Sequence, residues 1–113
     1  MGKLLPFVRR PLRQLIKIVL KTMDERSVTR GEKEFYDRLD ADFRTVLQKS
    51  ATVTAYDGFC LGYGECVFWI YTGDLERTLA EITPVFRGRI FMPGSYYVKV
   101  DKERQGWDVV SLW

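Results

Sequence analysis

The run Glu65-Cys66-Val67-Phe68-Trp69-Ile70-Tyr71 is apolar at nearly every position. A strand that faces water on one side alternates apolar and polar residues. A run without alternation marks a strand buried on both faces, and so central in a sheet. The chain must therefore supply helices for one face of that sheet. The other face must be covered by a further segment or by a partner.

The helices are legible. Thr29-Arg30-Gly31-Glu32 matches a capping box, in which a hydroxyl and a carboxylate satisfy free N–H groups reciprocally. Phe35, Leu39, Phe43, Val46 and Leu47 then recur at helical spacing, which predicts an amphipathic helix over about residues 30–49. Asp74 opens a second helix bearing Leu75, Leu79, Ile82 and Phe86, with a kink expected near Thr83 because of Pro84, and Gly88 closing it. Residues 51–56 are β-formers, as are 95–100 and 107–113. Asp57-Gly58 and Gly62-Tyr63-Gly64 are alternative hairpin turns, and Pro93-Gly94 is a further turn. With the turn at Gly62–Gly64, Cys60 and Cys66 would face each other across strands. With the turn at Asp57-Gly58 they would lie far apart on one strand. In either register they read as two small buried apolar side chains.

Residues 1–21 carry Lys3, Arg9, Arg10, Arg13, Lys17 and Lys21 and no acid, so against a net charge of +3 residues 22–113 sum to −3. Leu12, Leu15, Ile16 and Val19 form a stripe, while Arg13, Lys17 and Lys21 recur every four residues. This predicts a basic amphipathic helix from Pro11 to Met23. Its apolar stretch is too short and too charged to span a membrane, and no signal-peptide cleavage pattern follows it. The expectation is a cytoplasmic protein with a basic extension over residues 1–29 and one α+β domain over residues 30–113.

Without the first helix the order is α-β-β-α-β-β, a circular permutation of the ferredoxin-like β-α-β-β-α-β order. The expected fold is thus α+β: a four-stranded, mainly antiparallel sheet with two helices on one face, plus the N-terminal basic helix.

No enzyme is expected. The chain has no histidine, which removes histidine-based triads and histidine-ligated metals, and two cysteines cannot make a four-cysteine site. Asp57, Glu65 and Asp74 have no evident pairing, and Ser50, Ser95 and Ser111 no evident base. Gly62-Tyr63-Gly64 precedes a strand rather than a helix, the wrong order for a phosphate loop. No metal and no cofactor are expected. Val67 to Leu75 resembles the opening of an RNA-recognition domain, but the second motif of that family is missing. Tyr63, Trp69, Tyr71, Tyr97 and Trp107 remain as a generic base-stacking surface.

Asp57/Gly58, Gly62-Tyr63-Gly64-Glu65, Val67 to Tyr71, Asp74, Ile82 to Phe86 and Gly94-Ser95 together form a pattern of turns and core positions. The pattern resembles that of small bacterial α+β domains of the immunity-protein type, which neutralise toxins by covering the active site. The resemblance implies an intracellular inhibitor binding a cognate secreted toxin, with Asp57, Phe59, Tyr63 and Glu65 around the glycine-rich turns as contacts. A second copy of the chain is a further candidate partner. The alternative is an adaptor for nucleic acid or an anionic membrane surface, acting through the basic helix by Arg9, Arg10, Arg13, Lys17 and Lys21.

Overall fold

The structure is a computed structural model and describes residues 14–101 and 106–113. Five strands and two helices follow one another as β1 (Gln14–Lys21), α1 (Arg30–Leu47), β2 (Val53–Gly62), β3 (Glu65–Thr72), α2 (Leu75–Phe86), β4 (Tyr96–Asp101) and β5 (Gly106–Ser111). The strands form a single sheet in the order β2-β3-β1-β4-β5, with every neighbouring pair antiparallel.

The class is α+β, as expected, but the first element is corrected. Residues 14–21 are a strand, not a helix, and that strand is the centre of the sheet. The expected start of the helix at Pro11, with Arg9, Arg10 and Arg13, lies outside the described residues. Lys17 and Lys21 are four apart, which places two residues on one face of a helix and equally on one face of a strand. Burial decides between the two. Ile16, Ile18 and Leu20 enter the core under the helices, while Leu15 and Val19 are buried on the opposite face. A strand with β-branched residues and two apolar faces belongs between other strands.

This correction removes the permutation and raises the strand count from four to five. β1 and β2 both run antiparallel to β3 and are joined through α1. β3 and β4 both run antiparallel to β1 and are joined through α2. The chain is thus two interleaved β-α-β units in unpermuted β-α-β-β-α-β order, with β5 added as a hairpin partner of β4.

Both helices pack on the same face. Tyr36, Leu39, Phe43 and Leu47 of α1 and Leu79, Ile82 and Val85 of α2 meet Ile16, Ile18, Leu20, Cys66, Phe68 and Ile70 of the sheet. Phe43 is fully buried and meets Phe68, Phe86 and Tyr56 edge-on, with ring centroids 5.3, 5.9 and 6.1 Å away. The capping box forms as expected: Glu32 N–H donates to Thr29 Oγ1 at 3.1 Å, and Thr29 N–H to Glu32 Oε1 at 2.9 Å. Asp74 caps α2 by accepting from Arg77 N–H at 3.1 Å. α2 continues through Pro84 to Phe86 as one helix.

The hairpin turn is Tyr63-Gly64, with Gly62 paired to Glu65, and Asp57-Gly58 lies inside β2 as an irregularity in the ladder. Gly58 takes a φ of +86°, a conformation that strains any residue with a Cβ, so this strand position favours glycine. Cys60 pairs with Val67 and Cys66 with Leu61, which puts the two thiols on opposite faces of the sheet. Cys66 is buried and Cys60 is exposed, so only one of the two is the small core residue the sequence suggests.

The packing around Phe43 sets a stability expectation. Phe43→Ala should cost about 3–5 kcal/mol, read as a lowered urea midpoint with an unchanged transition slope.

Candidate functional site

One end of the sheet gathers the C-terminal ends of β1, β2 and β5 and the N-terminal ends of β3 and β4. Residues 22–29, the Tyr63-Gly64 turn, residues 87–95 and the C-terminal Leu112-Trp113 all sit there. Their backbones are tied together by polar contacts that point inward. Thr22 N–H donates to Gly64 O at 2.9 Å. Lys21 N–H donates to the hydroxyl of buried Ser95 at 3.0 Å. Ser95 N–H donates to Met92 O at 3.1 Å, and Leu112 N–H to Ser95 O at 3.0 Å. Glu32 accepts from Met23 N–H at 2.9 Å with one carboxylate oxygen while the other completes the capping box.

The side chains at this end are apolar and point outward. Tyr63 is 98% exposed, Ile90 94%, Met23 68%, Trp113 67%, Met92 41% and Leu61 40%. Among the described residues just one other large apolar side chain is exposed, Val109 in the middle of β5. Phe91 explains the posture of its neighbours. Its ring is buried against Phe35 and Phe86, with centroids 6.0 and 5.9 Å away, so residues 90 and 92 are turned out. Arg89 secures the same segment by donating to Val85 O and to the Asp42 carboxylate.

Between these groups lies a cleft of about 350 Å³ lined mainly by Leu20, Met23, Phe35, Tyr36, Ile90 and Met92. A smaller hollow of about 180 Å³ separates the hairpin tip from residues 22–28. Charged groups at the rim are engaged with each other. Lys21 Nζ is 2.6 Å from Glu65 Oε2, and that hydrogen bond raises the lysine pKa above its ordinary value. The Thr29 and Met23 N–H donors hold Glu32 below the ordinary carboxylate value. Burial pushes the Tyr36 hydroxyl pKa upward, so it stays protonated in the wall of the cleft.

Tyr63 occupies a costly conformation. Tyr63 and Gly64 have φ values of +50° and +81°, the signs of a type I′ turn. Asn or Gly suits the first of these positions, whereas a bulky L-residue there costs about 1–2 kcal/mol.

The sequence-derived contact residues are dispersed. Tyr63 stands at the tip, and Glu65 lies at its foot, paired to Lys21. Phe59 is not a turn residue. Its ring packs on Phe68 and Tyr36, with centroids 5.2 and 6.2 Å away, so it belongs to the interior. Asp57 is exposed in the irregular part of β2, about 20 Å along the strand from Tyr63 at roughly 3.3 Å per residue. Lys17 and Lys21 lie on the helix-free face of the sheet rather than on a basic helix. Sequence reasoning missed Met23, Ile90, Met92 and Trp113. The available signal was the apolar run Ile90-Phe91-Met92 in a segment that is neither helix nor strand.

Among the described residues, no group of three or more His, Cys, Asp or Glu is placed to hold a metal ion. Nor is any described helix long and apolar enough to cross a membrane. No protein-family model, curated protein or solved structure matches this chain.

Two measurements check this electrostatic picture. The Glu32 pKa is lowered by folding, so its stabilisation is present above the ordinary value of 4.5 and lost as pH falls through the lower folded value. Glu32→Gln should therefore flatten the acid side of the stability–pH curve below about 4.5. Burial pushes the Cys66 thiol up to about 12, whereas Cys60 is exposed. A thiol-reactive chromophore should titrate one cysteine in the folded protein and two after denaturation.

Proposed function

We propose that this chain is a protein-interaction module that inhibits by occlusion, in the manner of the immunity proteins its turn pattern resembles. The docking surface is the apolar end of the sheet. The observation that carries this reading is the concentration around that end and its cleft of six of the seven large apolar side chains exposed among the described residues. Exposed apolar patches with inward-tied polar groups mark protein contact surfaces. Tyr63 supports the same reading. A tyrosine kept at a turn position that favours asparagine or glycine gives up local stability, and strain of this kind gathers at functional sites. Large aromatics are also common anchors of binding energy.

The partner in this reading is a protein that inserts an apolar side chain between Met23, Ile90 and Met92. Methionines suit such a pocket because their unbranched side chains adapt to the guest. A cognate toxin active inside the cell would place the protein in the cytoplasm.

Affinity isolation from the native host, with nuclease treatment, followed by calorimetry on the purified pair, tests the proposal. One stoichiometric protein partner is expected to survive nuclease. Ile90→Glu should weaken its binding at least about 30-fold, the scale of an interface hot spot. Folding should be unaffected, because the side chain is 94% exposed. Tyr63→Asn should raise stability by about 1 kcal/mol while also weakening the complex. A partner that binds both variants as tightly as the parent protein would rule out this end as the docking surface.

A further inference from the structure

The helix-free face of the sheet carries a second pattern, independent of the apolar end. In the register of the sheet, Lys17 of β1 lies between Trp69 of β3 and Val98 of β4. Leu15 lies between Tyr71 and Val100 in the next row on one side, and Val19 between Val67 and Tyr96 on the other. Trp69, Tyr71 and Tyr96 are partly exposed. No described element packs over them, because both helices lie on the opposite face.

We propose that this face binds single-stranded nucleic acid, with Trp69, Tyr71 and Tyr96 as stacking surfaces and Lys17 as the phosphate contact. The charge distribution fits. Among the described residues, Glu65 is the one acid that the paired register places on this face, and its carboxylate is held by Lys21. Asp108 contacts Lys99, which also reaches Glu76 of α2, so this cluster lies on the helix side. The Lys17 ammonium has no hydrogen bond or ion pair among the described residues.

The central lysine decides against a second copy of the chain as the occupant. Pressing two such faces together would desolvate an unpaired ammonium, which is unfavourable without a compensating anion. A single strand brings a phosphate for every base. It therefore neutralises Lys17 while offering π-faces to the aromatics. Trp69 and Tyr71 are two residues apart on one strand, about 6.6 Å at strand rise, so neighbouring bases of one strand can reach both.

Of the other aromatics singled out in the sequence, two lie away from this face, and the Trp107 side chain lies outside the described residues. Tyr97 stacks beneath α2 on Phe86, with ring planes 5° apart, and so lies on the helix side. Tyr63 belongs to the hairpin tip.

Fluorescence anisotropy with labelled oligouridylate and oligothymidylate, at low salt and across a salt series, tests the proposal on the full chain. Binding is expected, and the ratio between the two oligomers separates RNA from DNA as the ligand. Trp69→Ala should weaken it about fivefold or more, and Trp69→Phe should largely restore it. Lys17→Gln should reduce the slope of log affinity against log salt by about one phosphate contact. Ile90→Glu should change nothing here, which separates this test from that of the docking end. Thermal melting of each variant confirms that the fold is kept. The proposal is overturned if neither oligomer binds. It is also overturned if Trp69→Ala and Lys17→Gln bind like the parent, which would assign binding to the basic segment alone. A concentration-dependent dimer that shields Trp69 from quenchers would overturn it in favour of a second copy.

Discussion

Everything in this structure depends on β1 pairing on both edges. It is hydrogen-bonded to β3 on one side and β4 on the other, and it supplies Ile16, Ile18 and Leu20 to the helix-packed core. Remove it and β2-β3 separates from β4-β5, since no other strand among the described residues joins the two hairpins. The helices cannot replace that link, because each covers the sheet that β1 holds together. The pairing also fixes where the loops emerge. By setting Lys21 opposite Glu65 and beside Ser95, it brings the β2–β3 turn and the segment before β4 to the same end.

That end and the helix-free face use the same strand differently. At the end, polar groups are consumed by one another, and apolar side chains are left facing water. On the face, apolar and aromatic groups surround one ammonium without a partner among the described residues. The two surfaces differ in chemistry, because an apolar cleft gains by excluding water while an isolated cation gains by meeting an anion.

The two helices and most of their core-facing residues were legible in the sequence, apart from Tyr36 and Val85 and the absent kink at Pro84. Capping chemistry and a helical period are local signals, and α1 and α2 begin where Thr29 and Asp74 say they should. The strand character of residues 65–71 was equally legible. Residues 14–21 were not, because Lys17 and Lys21 satisfy helical and strand periods alike. Of the two turns the sequence left open, the structure takes the second, and the glycine of Asp57-Gly58 serves an irregularity within a strand instead of ending one. Of the expected contact residues, Tyr63 was recognisable as exposed, while Phe59 was misplaced because its proximity to glycines concealed its pairing with Phe68.

The sequence by itself determined the α+β class, both helices, the apolar strand 65–71 and the lack of any histidine-based chemistry, since each follows from residue types over a few turns of chain. Tertiary structure alone decided that residues 14–21 are a strand, that the sheet has five strands in unpermuted order, and that distant apolar residues meet at one end. Those outcomes rest on pairing between segments up to 87 residues apart, as between Gln14 and Asp101, and no local propensity encodes such contacts.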